Sequence, residues 1–299
     1  MKFEQRSRYR SLPTFLSIVS LNQKNPSVHI SRCLLACGVR KFFLLGIIAL
    51  LCACEPESPT GPPPIRVGME LSTPPFEMTD AQGNPDGIGV RLAEALAKDL
   101  GRPLDIQVLA FKGLETALKT GKIDIILSSM TDTPKRRESI AFSAPYCKIG
   151  LAMLVAKDST LQGPADLNHP GRRIVARLGT TAVEYAKTQF PEAELILLDQ
   201  NAACLLEITQ NKADAFIYDQ LSILKLHLAQ PENTRALLKP LQTESWAMAL
   251  RKDDATLKAQ IDAFLSSFRV SGGMDALGER YLKTEKAALK DRGVPFILE

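Results

Sequence analysis

Short apolar runs alternate with amphipathic segments along most of this chain, and that alternation is the feature that most constrains its fold. The alternation begins with the short apolar run Ile65–Met69, and from Ile88 to Leu100 an apolar residue recurs at every fourth position. Such spacing places apolar side chains on one face of a helix, and Gly101 is a typical helix end. Similar pairs of run and segment continue as far as Asp219. The sequence therefore predicts an α/β fold, with a largely parallel sheet covered by helices on both faces.

Two longer apolar runs interrupt this alternation. Ile149–Ala156 is long enough to cross from one half of the protein to another, and Ser245–Leu250 is suited to the return crossing. Two crossings predict two α/β lobes with a cleft between them, and clefts between lobes are preferred ligand sites. The expected boundaries are residues 65–150 with 250–283 for the first lobe, 151–249 for the second lobe, and 284–299 for a C-terminal tail.

The N-terminal residues 1–54 have the pattern of a leader. A basic pair at residues 40–41 precedes the apolar run Phe42–Leu51, whose ten residues are too few to span a bilayer, which takes about 20. The run ends in Leu-Cys-Ala-Cys, which resembles a bacterial lipobox and implies cleavage before Cys54 and a lipid anchor on it. A cleaved signal with two incidental cysteines is the alternative.

The residues before and after this signal predict where translation starts and where an extended tether lies. Residues 1–38 lack a clean apolar core, so we expect the true start of translation near Val39. Residues 55–64 (EPESPTGPPP) are rich in proline and predict an extended, semi-rigid tether. Together with the anchor, they predict a protein attached to the membrane at the periplasmic face of the cell envelope.

Charge and motif content exclude several classes of function. Of the formal net charge of +4, residues 1–54 contribute eight basic residues and one acid, so the rest of the chain is net acidic and a nucleic-acid role is not supported. The sequence has no P-loop, no G-x-G-x-x-G and no H-E-x-x-H motif. Of its three histidines, His29 lies in the leader, and His169 and His227 lie near no Ser or Cys motif. We therefore predict no catalytic residue, no metal site and no cofactor.

A set of short motifs occurs in a fixed order between residues 65 and 283. In chain order they read PPFE, G-I-x-V-x-L-A-E-A-L-A, L-x-T-G-K-I-D, T-P-K-R-R, F-S-x-P-Y, G-T-T and K-A-D-A-x-x-x-D. This ordered set resembles the family 3 extracellular solute-binding proteins, the polar amino acid receptors of ABC importers. The resemblance implies a two-lobe type II periplasmic binding fold hinged by two crossing strands. It also implies a free amino acid as ligand and a membrane permease as partner.

A zwitterionic amino acid needs donors for its carboxylate. Arg136 follows a hydroxyl-rich turn and can bind a carboxylate through two parallel N–H bonds. Thr180 and Thr181, at an expected helix start in the other lobe, add hydroxyl and backbone donors. The alternatives are that Arg136, within a basic run, faces solvent and that the threonines only cap a helix.

The ligand ammonium needs acceptors. Asp219, at an expected strand end, suits this role, and the Thr131 hydroxyl and the Ser129 carbonyl would share it. Met130 lies between them and is assigned to the same site. Asp219 could instead serve as a helix N-cap.

Four further residues are assigned to the pocket for the ligand side chain. Thr73 occupies a position where the family usually has a stacking aromatic, and Phe111 matches another aromatic wall position. Glu70 could accept from an amide NH₂ and Arg177 could donate to an amide oxygen, which together favour a glutamine-like ligand. If these two residues pair with each other, Glu70 is not available to a cationic ligand.

Two other interpretations remain open. An enzyme on the same fold, related to cyclohexadienyl dehydratase, would need a proton-transfer group, for which Glu70 or Glu77 could serve. A sensor domain of a signalling protein is the third interpretation. An intact zwitterion clamp and a lipid tether favour the receptor.

Overall fold

The computed structural model describes residues 61–294 and residue 298. The predicted signal, Cys54 and the first part of the tether lie outside these described residues. All of the described residues belong to one compact unit, Pro59–Glu299. Among them, no helix has the length and apolar character needed to cross a membrane.

Strands and helices alternate over the described residues. The strands are β1 (Ile65–Met69), β2 (Met78–Thr79), β3 (Pro85–Asp86), β4 (Leu104–Val108), β5 (Ile125–Ile126), β6 (Ala141–Ala156), β7 (Arg173–Arg177), β8 (Glu194–Leu198), β9 (Ala215–Asp219) and β10 (Thr234–Leu250). The helices are α1 (Ile88–Asp99), α2 (Leu114–Lys119), α3 (Pro134–Arg137), α4 (Thr181–Gln189), α5 (Asn201–Thr209), α6 (Gln220–Ala229), α7 (Ala255–Val270), α8 (Gly273–Tyr281) and α9 (Lys283–Lys290), with 3-10 turns at Phe111–Gly113 and Pro164–Asp166.

Local sequence explains where the first elements begin and end. β1 has the bounds that its apolar run predicts, and all of its residues except Arg66 are buried. In α1 the residues Ile88, Leu92 and Leu96 face the core at helical spacing. The helix ends before Gly101, whose φ of +63° is a left-handed conformation that favours glycine.

Eight strands form one sheet in the order β4-β1-β5-β10-β6-β9-β7-β8. The outer groups, β4-β1-β5 and β9-β7-β8, are parallel within themselves, whereas β10 pairs antiparallel with both β5 and β6 and β6 pairs antiparallel with β9. The predicted parallel pairing is therefore correct within each lobe and wrong at the centre. The central strands are antiparallel because they carry the chain between the lobes in opposite directions.

Both crossing strands are longer than their apolar runs. β6 begins at Ala141 and β10 at Thr234, each well before the run that the sequence analysis identified. The first half of β10 is half-exposed, yet it pairs in register with β6 from Thr234↔Ala156 to Leu237↔Met153. Backbone hydrogen bonds thus extend these strands beyond the segment that hydropathy marks.

Each lobe has its own apolar cluster. Leu114, Ile126 and Phe142 belong to a cluster in the first lobe, and Ile174 and Ile217 to one in the second. A larger cluster continues through the crossing strands, and it includes both Cys147 and Cys204, the two cysteines of the described residues. They are buried as small apolar side chains.

The segment after residue 283, assigned to a C-terminal tail by the sequence, contains α9. Leu289 on this helix is buried in the largest apolar cluster. Helix α9 contacts α6 of the second lobe and α8, which packs on the first.

Candidate functional site

Arg136 is held between the two lobes. Thr133 caps α3 by accepting from the Arg136 N–H at 3.2 Å, and Pro134 occupies the first helical position, where its missing N–H costs nothing. The Arg136 side chain is only 10% exposed and lies 5.7 Å from the Phe111 ring centroid. The basic run is therefore not a uniformly solvated face.

The Arg136 guanidinium keeps donors free. Its Nη1 donates to the Thr131 carbonyl at 2.7 Å, its Nη2 donates to the Gly179 carbonyl of the other lobe at 2.9 Å, and its Nε lies 3.3 Å from a Glu115 carboxylate oxygen. A guanidinium has five N–H donors, so one N–H on each Nη remains for a carboxylate. Burial lowers the pKa of Arg136, but an arginine remains charged at neutral pH.

The start of α4 faces the same space. Thr180 is the N-cap residue, but its hydroxyl donates to the Arg177 carbonyl at 2.7 Å and makes no capping bond. Without a side-chain cap, the N–H groups of the first turn are suited to an anion. Gly179, with φ +77°, makes the turn into the helix.

Asp219 ends β9 and caps α6. Its carboxylate accepts from the Ser222 N–H at 2.8 Å, so the capping role that the sequence left open is present. Asp219 also lines the cavity described below, with 5% of the residue exposed. The pKa of Asp219 is raised to about 6, chiefly by burial; the bonds from Ser222 partly offset this rise, and the nearby Glu244 carboxylate adds to it.

The turn after β5 supplies Ser129 and Thr131. Ser129 has φ +49°, and its hydroxyl donates to Glu77 Oε2 at 2.7 Å. Thr131 pairs with Trp246 in an isolated antiparallel bridge, which joins the turn to β10. Met130, predicted as a ligand-binding residue, does not line the cavity, because its apolar side chain is buried in the cluster of the first lobe.

An inner cavity, partly open to solvent, lies between the lobes. It brings together most of the predicted site residues, namely Thr73, Phe111, Ser129, Thr131, Arg136, Thr180, Thr181 and Asp219. The cation of Arg136 and the carboxylate of Asp219 therefore line the same cavity, as a dipolar ligand requires.

Sequence reasoning missed Glu244, which also lines the inner cavity. Its Oε2 accepts from the Thr131 hydroxyl at 2.9 Å and from the Thr181 hydroxyl at 3.0 Å, and its Oε1 accepts from Gln242 at 3.0 Å. An acid directly before the apolar run Ser245–Leu250 was the available signal.

Trp246 and Tyr218 are further cavity residues that the sequence did not single out. Trp246 packs edge to face against Phe76, with ring centroids 4.9 Å apart. The rings of Trp246 and Tyr218 supply aromatic surface to the cavity. Thr73 occupies the position where the family usually has an aromatic residue.

Glu70 and Arg177 lie in an adjacent outer cavity, which is also partly open to solvent. They form a buried ion pair across the two lobes. Arg177 also donates to the Asp199 carbonyl at 2.8 Å and to the Tyr218 hydroxyl at 3.1 Å. Phe111 lines both cavities.

Comparison with known proteins identifies the family. Residues 65–284, most of the chain, match the bacterial extracellular solute-binding proteins, family 3. The chain belongs to this family. The predicted family and its two-lobe type II fold are thereby confirmed.

Individual relatives of this solute-binding protein are amino acid receptors. The L-arginine-binding protein of Pseudomonas aeruginosa is 27% identical over 253 residues, which cover 81% of this chain and 96% of that relative. The structure of a Wolinella succinogenes protein described as a binding component of an ABC transporter, in complex with lysine, is 33% identical with a TM-score of 0.69, and the match covers 74% of this chain and 97% of that one. Other relatives are named for arginine, cystine, glutamine and histidine.

One structural relative bears on the enzymatic alternative. The ancestral amino acid-binding protein described as a precursor of cyclohexadienyl dehydratase is 32% identical with a TM-score of 0.67, and the match covers 73% of this chain and 94% of that one. The named relatives are substrate-binding proteins of transport systems. This solute-binding protein is therefore an amino-acid-binding component of an ABC transporter that acts outside the cytoplasm.

Proposed function

We propose that this protein binds the two charged ends of a polar amino acid between Arg136 and Asp219, closes its lobes around it and presents it to a permease. The observation that carries the proposal is Arg136, which is buried at the lobe interface with an N–H left on each Nη. The ligand carboxylate bridges these donors and the start of α4. The ligand ammonium binds Asp219, with the Thr131 hydroxyl and the Ser129 carbonyl beside it.

Closure of the two lobes follows from the positions of the proposed ligand-binding groups. Arg136 and Thr131 belong to the first lobe, whereas Thr181 and Asp219 belong to the second. A ligand that binds both sets stabilises the closed state because only that state provides all the contacts. Charge-assisted bonds are worth about 1.5–3 kcal/mol each, so four or five reach micromolar affinity, about −8 kcal/mol, after the entropy cost.

Glutamine is the ligand that we propose. The Glu70–Arg177 pair is neutral overall, so it offers an acceptor and a donor without an unbalanced charge. An amide head matches that pair, since its NH₂ donates and its oxygen accepts.

Glu244 favours a second candidate, a basic amino acid. With Glu244 and Asp219 opposite Arg136, the inner cavity has more acidic than basic side chains. A cationic side chain would balance this excess.

An enzymatic role receives less support. Glu70, one proposed proton-transfer group, is ion-paired in the outer cavity, and Glu77, the other, is fully buried beneath Ser129. Neither lines the inner cavity. Turnover of prephenate or arogenate, followed by absorbance, would contradict the receptor assignment.

A thermal-shift screen of the twenty amino acids tests the binding site. A ligand at 100 times its dissociation constant should stabilise the protein by about 2.7 kcal/mol. We expect glutamine to give the largest shift and Arg136→Ala to abolish it without unfolding the protein. Lys135→Ala is the matched control, because that neighbouring cation is 76% exposed, and it should keep the shift.

Two outcomes separate the alternatives. A larger shift with arginine or lysine than with glutamine, lost in Glu244→Gln, would assign the basic ligand instead. A full response of Arg136→Ala would show that the clamp is wrongly assigned. Membrane attachment through diacylglycerol on Cys54 is part of the same proposal, and the intact mass of the membrane-extracted protein checks it.

A further inference from the structure

One short segment of the first lobe contacts the guanidinium of Arg136 at two points. The segment runs from Phe111, in the 3-10 turn, to Glu115, in the first turn of α2. The Phe111 ring centroid lies 5.7 Å from Arg136 Cζ, and Glu115 Oε1 lies 3.3 Å from Arg136 Nε. An aromatic ring and a carboxylate, four residues apart in the chain, therefore meet the same cation.

The other partners of the Arg136 guanidinium come from both lobes. Its Nη1 donates to the Thr131 carbonyl of the first lobe, and its Nη2 donates to the Gly179 carbonyl of the second lobe. The bond to Gly179 requires that the lobes are closed, whereas the contacts with Thr131, Glu115 and Phe111 lie within one lobe. These three residues can therefore orient Arg136 before the second lobe closes on it.

The position of Glu115 determines which donors of Arg136 meet a ligand. Its carboxylate lies at Nε, so the N–H groups that remain for a ligand carboxylate are those on the two Nη atoms. Without Glu115 the Nε–H would be free, and the guanidinium could turn and present a different edge. A bidentate bond to a carboxylate depends on the orientation of the planar fork, so such a turn would weaken it.

The charge of Glu115 also suits a cation that is largely buried. The Arg136 side chain is only 10% exposed, whereas that of Glu115 is 33% exposed and does not line the inner cavity. Burial lowers the pKa of Arg136, and the charge of Glu115 counters this lowering more than that of Glu244 does. Glu115 thus compensates the buried cation from outside the cavity, where it leaves the space for the ligand carboxylate free.

We infer that Glu115 is a positioning residue for Arg136, which it orients within the first lobe so that both Nη atoms present an N–H to the ligand carboxylate. Glu115 acts only through the arginine and does not itself touch the ligand. This preorganisation lowers the cost of ordering a long side chain when the ligand binds. The inference rests on the proposed function, because it requires that Arg136 binds the ligand carboxylate.

Isothermal titration with the purified full protein tests the inference. The probes are L-glutamine and L-arginine, each compared with its carboxamide, in which a neutral amide replaces the α-carboxylate. We expect Glu115→Ala to weaken binding of the recognised amino acid about tenfold, because the fork no longer holds its orientation, and to leave binding of the carboxamide nearly unchanged. Displacement titration measures the weaker carboxamides.

A first-turn acid also stabilises its own helix, and the carboxamides separate this role from positioning. If Glu115 only stabilised α2, its removal would weaken the amino acid and the carboxamide by the same factor, and equal losses would overturn the inference. Glu115→Gln keeps an acceptor for Nε without the charge, so it should restore most of the affinity. Tighter binding in Glu115→Ala would show that Glu115 merely competes with the ligand for Arg136, which would also overturn the inference.

Asp132→Asn is the matched control. Asp132 accepts from the Nε of the neighbouring arginine, Arg137, at 2.6 Å, and neither residue lines the inner or the outer cavity. This substitution should leave the ratio of the amino acid and carboxamide affinities unchanged. A loss equal to that in Glu115→Ala would assign the effect to the general charge around α3 and contradict a specific role of Glu115.

The two proposals fail in different ways. If neither amino acid binds the unmodified protein, or if Arg136→Ala binds them equally well, the proposed function is wrong and the inference falls with it. If Arg136→Ala loses binding but Glu115→Ala affects an amino acid and its carboxamide alike, the positioning role alone is wrong.

Discussion

At the scale of single residues, the proposed site depends on the ionised carboxylate of Asp219, and burial disfavours that ionised form. Asp219 is almost fully buried at the end of β9, and burial raises its pKa to about 6. A ligand ammonium binds the ionised form, so ligand affinity should be nearly constant between pH 7 and 8. Below pH 6 it should fall by about tenfold per pH unit, because protonation of Asp219 then competes with the ligand.

Titration calorimetry at pH 5, 6, 7 and 8 measures this dependence. Asp219→Asn should bind more weakly at pH 7 and show no such fall at lower pH. If the variant keeps the same fall in affinity, another group titrates with the ligand and Asp219 does not hold the ammonium.

At the scale of strands and helices, the crossing strands set how the lobes move. Gly150 lies on β6 where the chain passes between the lobes, and its N–H donates to Gln220 Oε1 at 2.8 Å. A Cβ added at Gly150 would lie 2.8 Å from both Gln220 Oε1 and Pro240 Cβ. Since the Gln220 Nε2 also donates to the Leu238 carbonyl, that side chain cannot move without losing a bond.

Gly150→Ala should therefore destabilise the protein by about 1–3 kcal/mol, the usual cost of overpacking, and should also weaken ligand binding through the altered crossing. Urea unfolding and calorimetry measure the two effects. Gly163→Ala is the matched control, because nothing lies within 4 Å of the added Cβ and the backbone is extended there. Comparable effects of both substitutions would contradict the role of this crossing.

Elements also show what sequence can and cannot predict. β1 and α1 were predictable because apolar spacing records which face is buried. By the same spacing, the apolar run Ile123–Leu127 is typical of a five-residue strand. The strand β5 has only two residues, because burial of a run does not require that all of it pair in the sheet.

In the candidate site too, sequence patterns reveal local features but not contacts between distant parts of the chain. Arg136 and Asp219 were identified because they lie in short motifs at element ends. Glu244 was missed because it lies far along the chain from Thr131 and Thr181, and only the pairing of β10 with the turn after β5 brings the three together.

At the scale of the whole molecule, a buried acid beneath the site links stability to pH. Glu77 is fully buried, and its Oε1 has no hydrogen-bond partner among the described residues. The pKa of Glu77 is raised to about 8, chiefly by burial, and the bond from Ser129 only partly offsets that effect. In the unfolded chain this carboxyl group titrates near its usual value of about 4.3.

The folded protein therefore binds one more proton than the unfolded chain between these two pKa values. The stabilisation that the protonated Glu77 provides is complete below the pKa of the unfolded chain. It decreases as the pH rises between the two pKa values, and its loss is complete once the pH has risen through 8. Midway between the pKa of Asp219, about 6, and that of Glu77, about 8, the free energy of unfolding should fall by about 1.4 kcal/mol per pH unit because of Glu77.

Urea unfolding at pH 6, 7 and 8 checks this slope. Glu77→Gln keeps the shape of the side chain and cannot ionise, so its free energy of unfolding should stay nearly constant over that range. Glu94→Gln serves as the control, since the Glu94 side chain is 47% exposed on α1 and its substitution should preserve the slope of the unmodified protein. A slope that survives in Glu77→Gln would assign the lost proton to a different buried group and remove Glu77 from the account of stability.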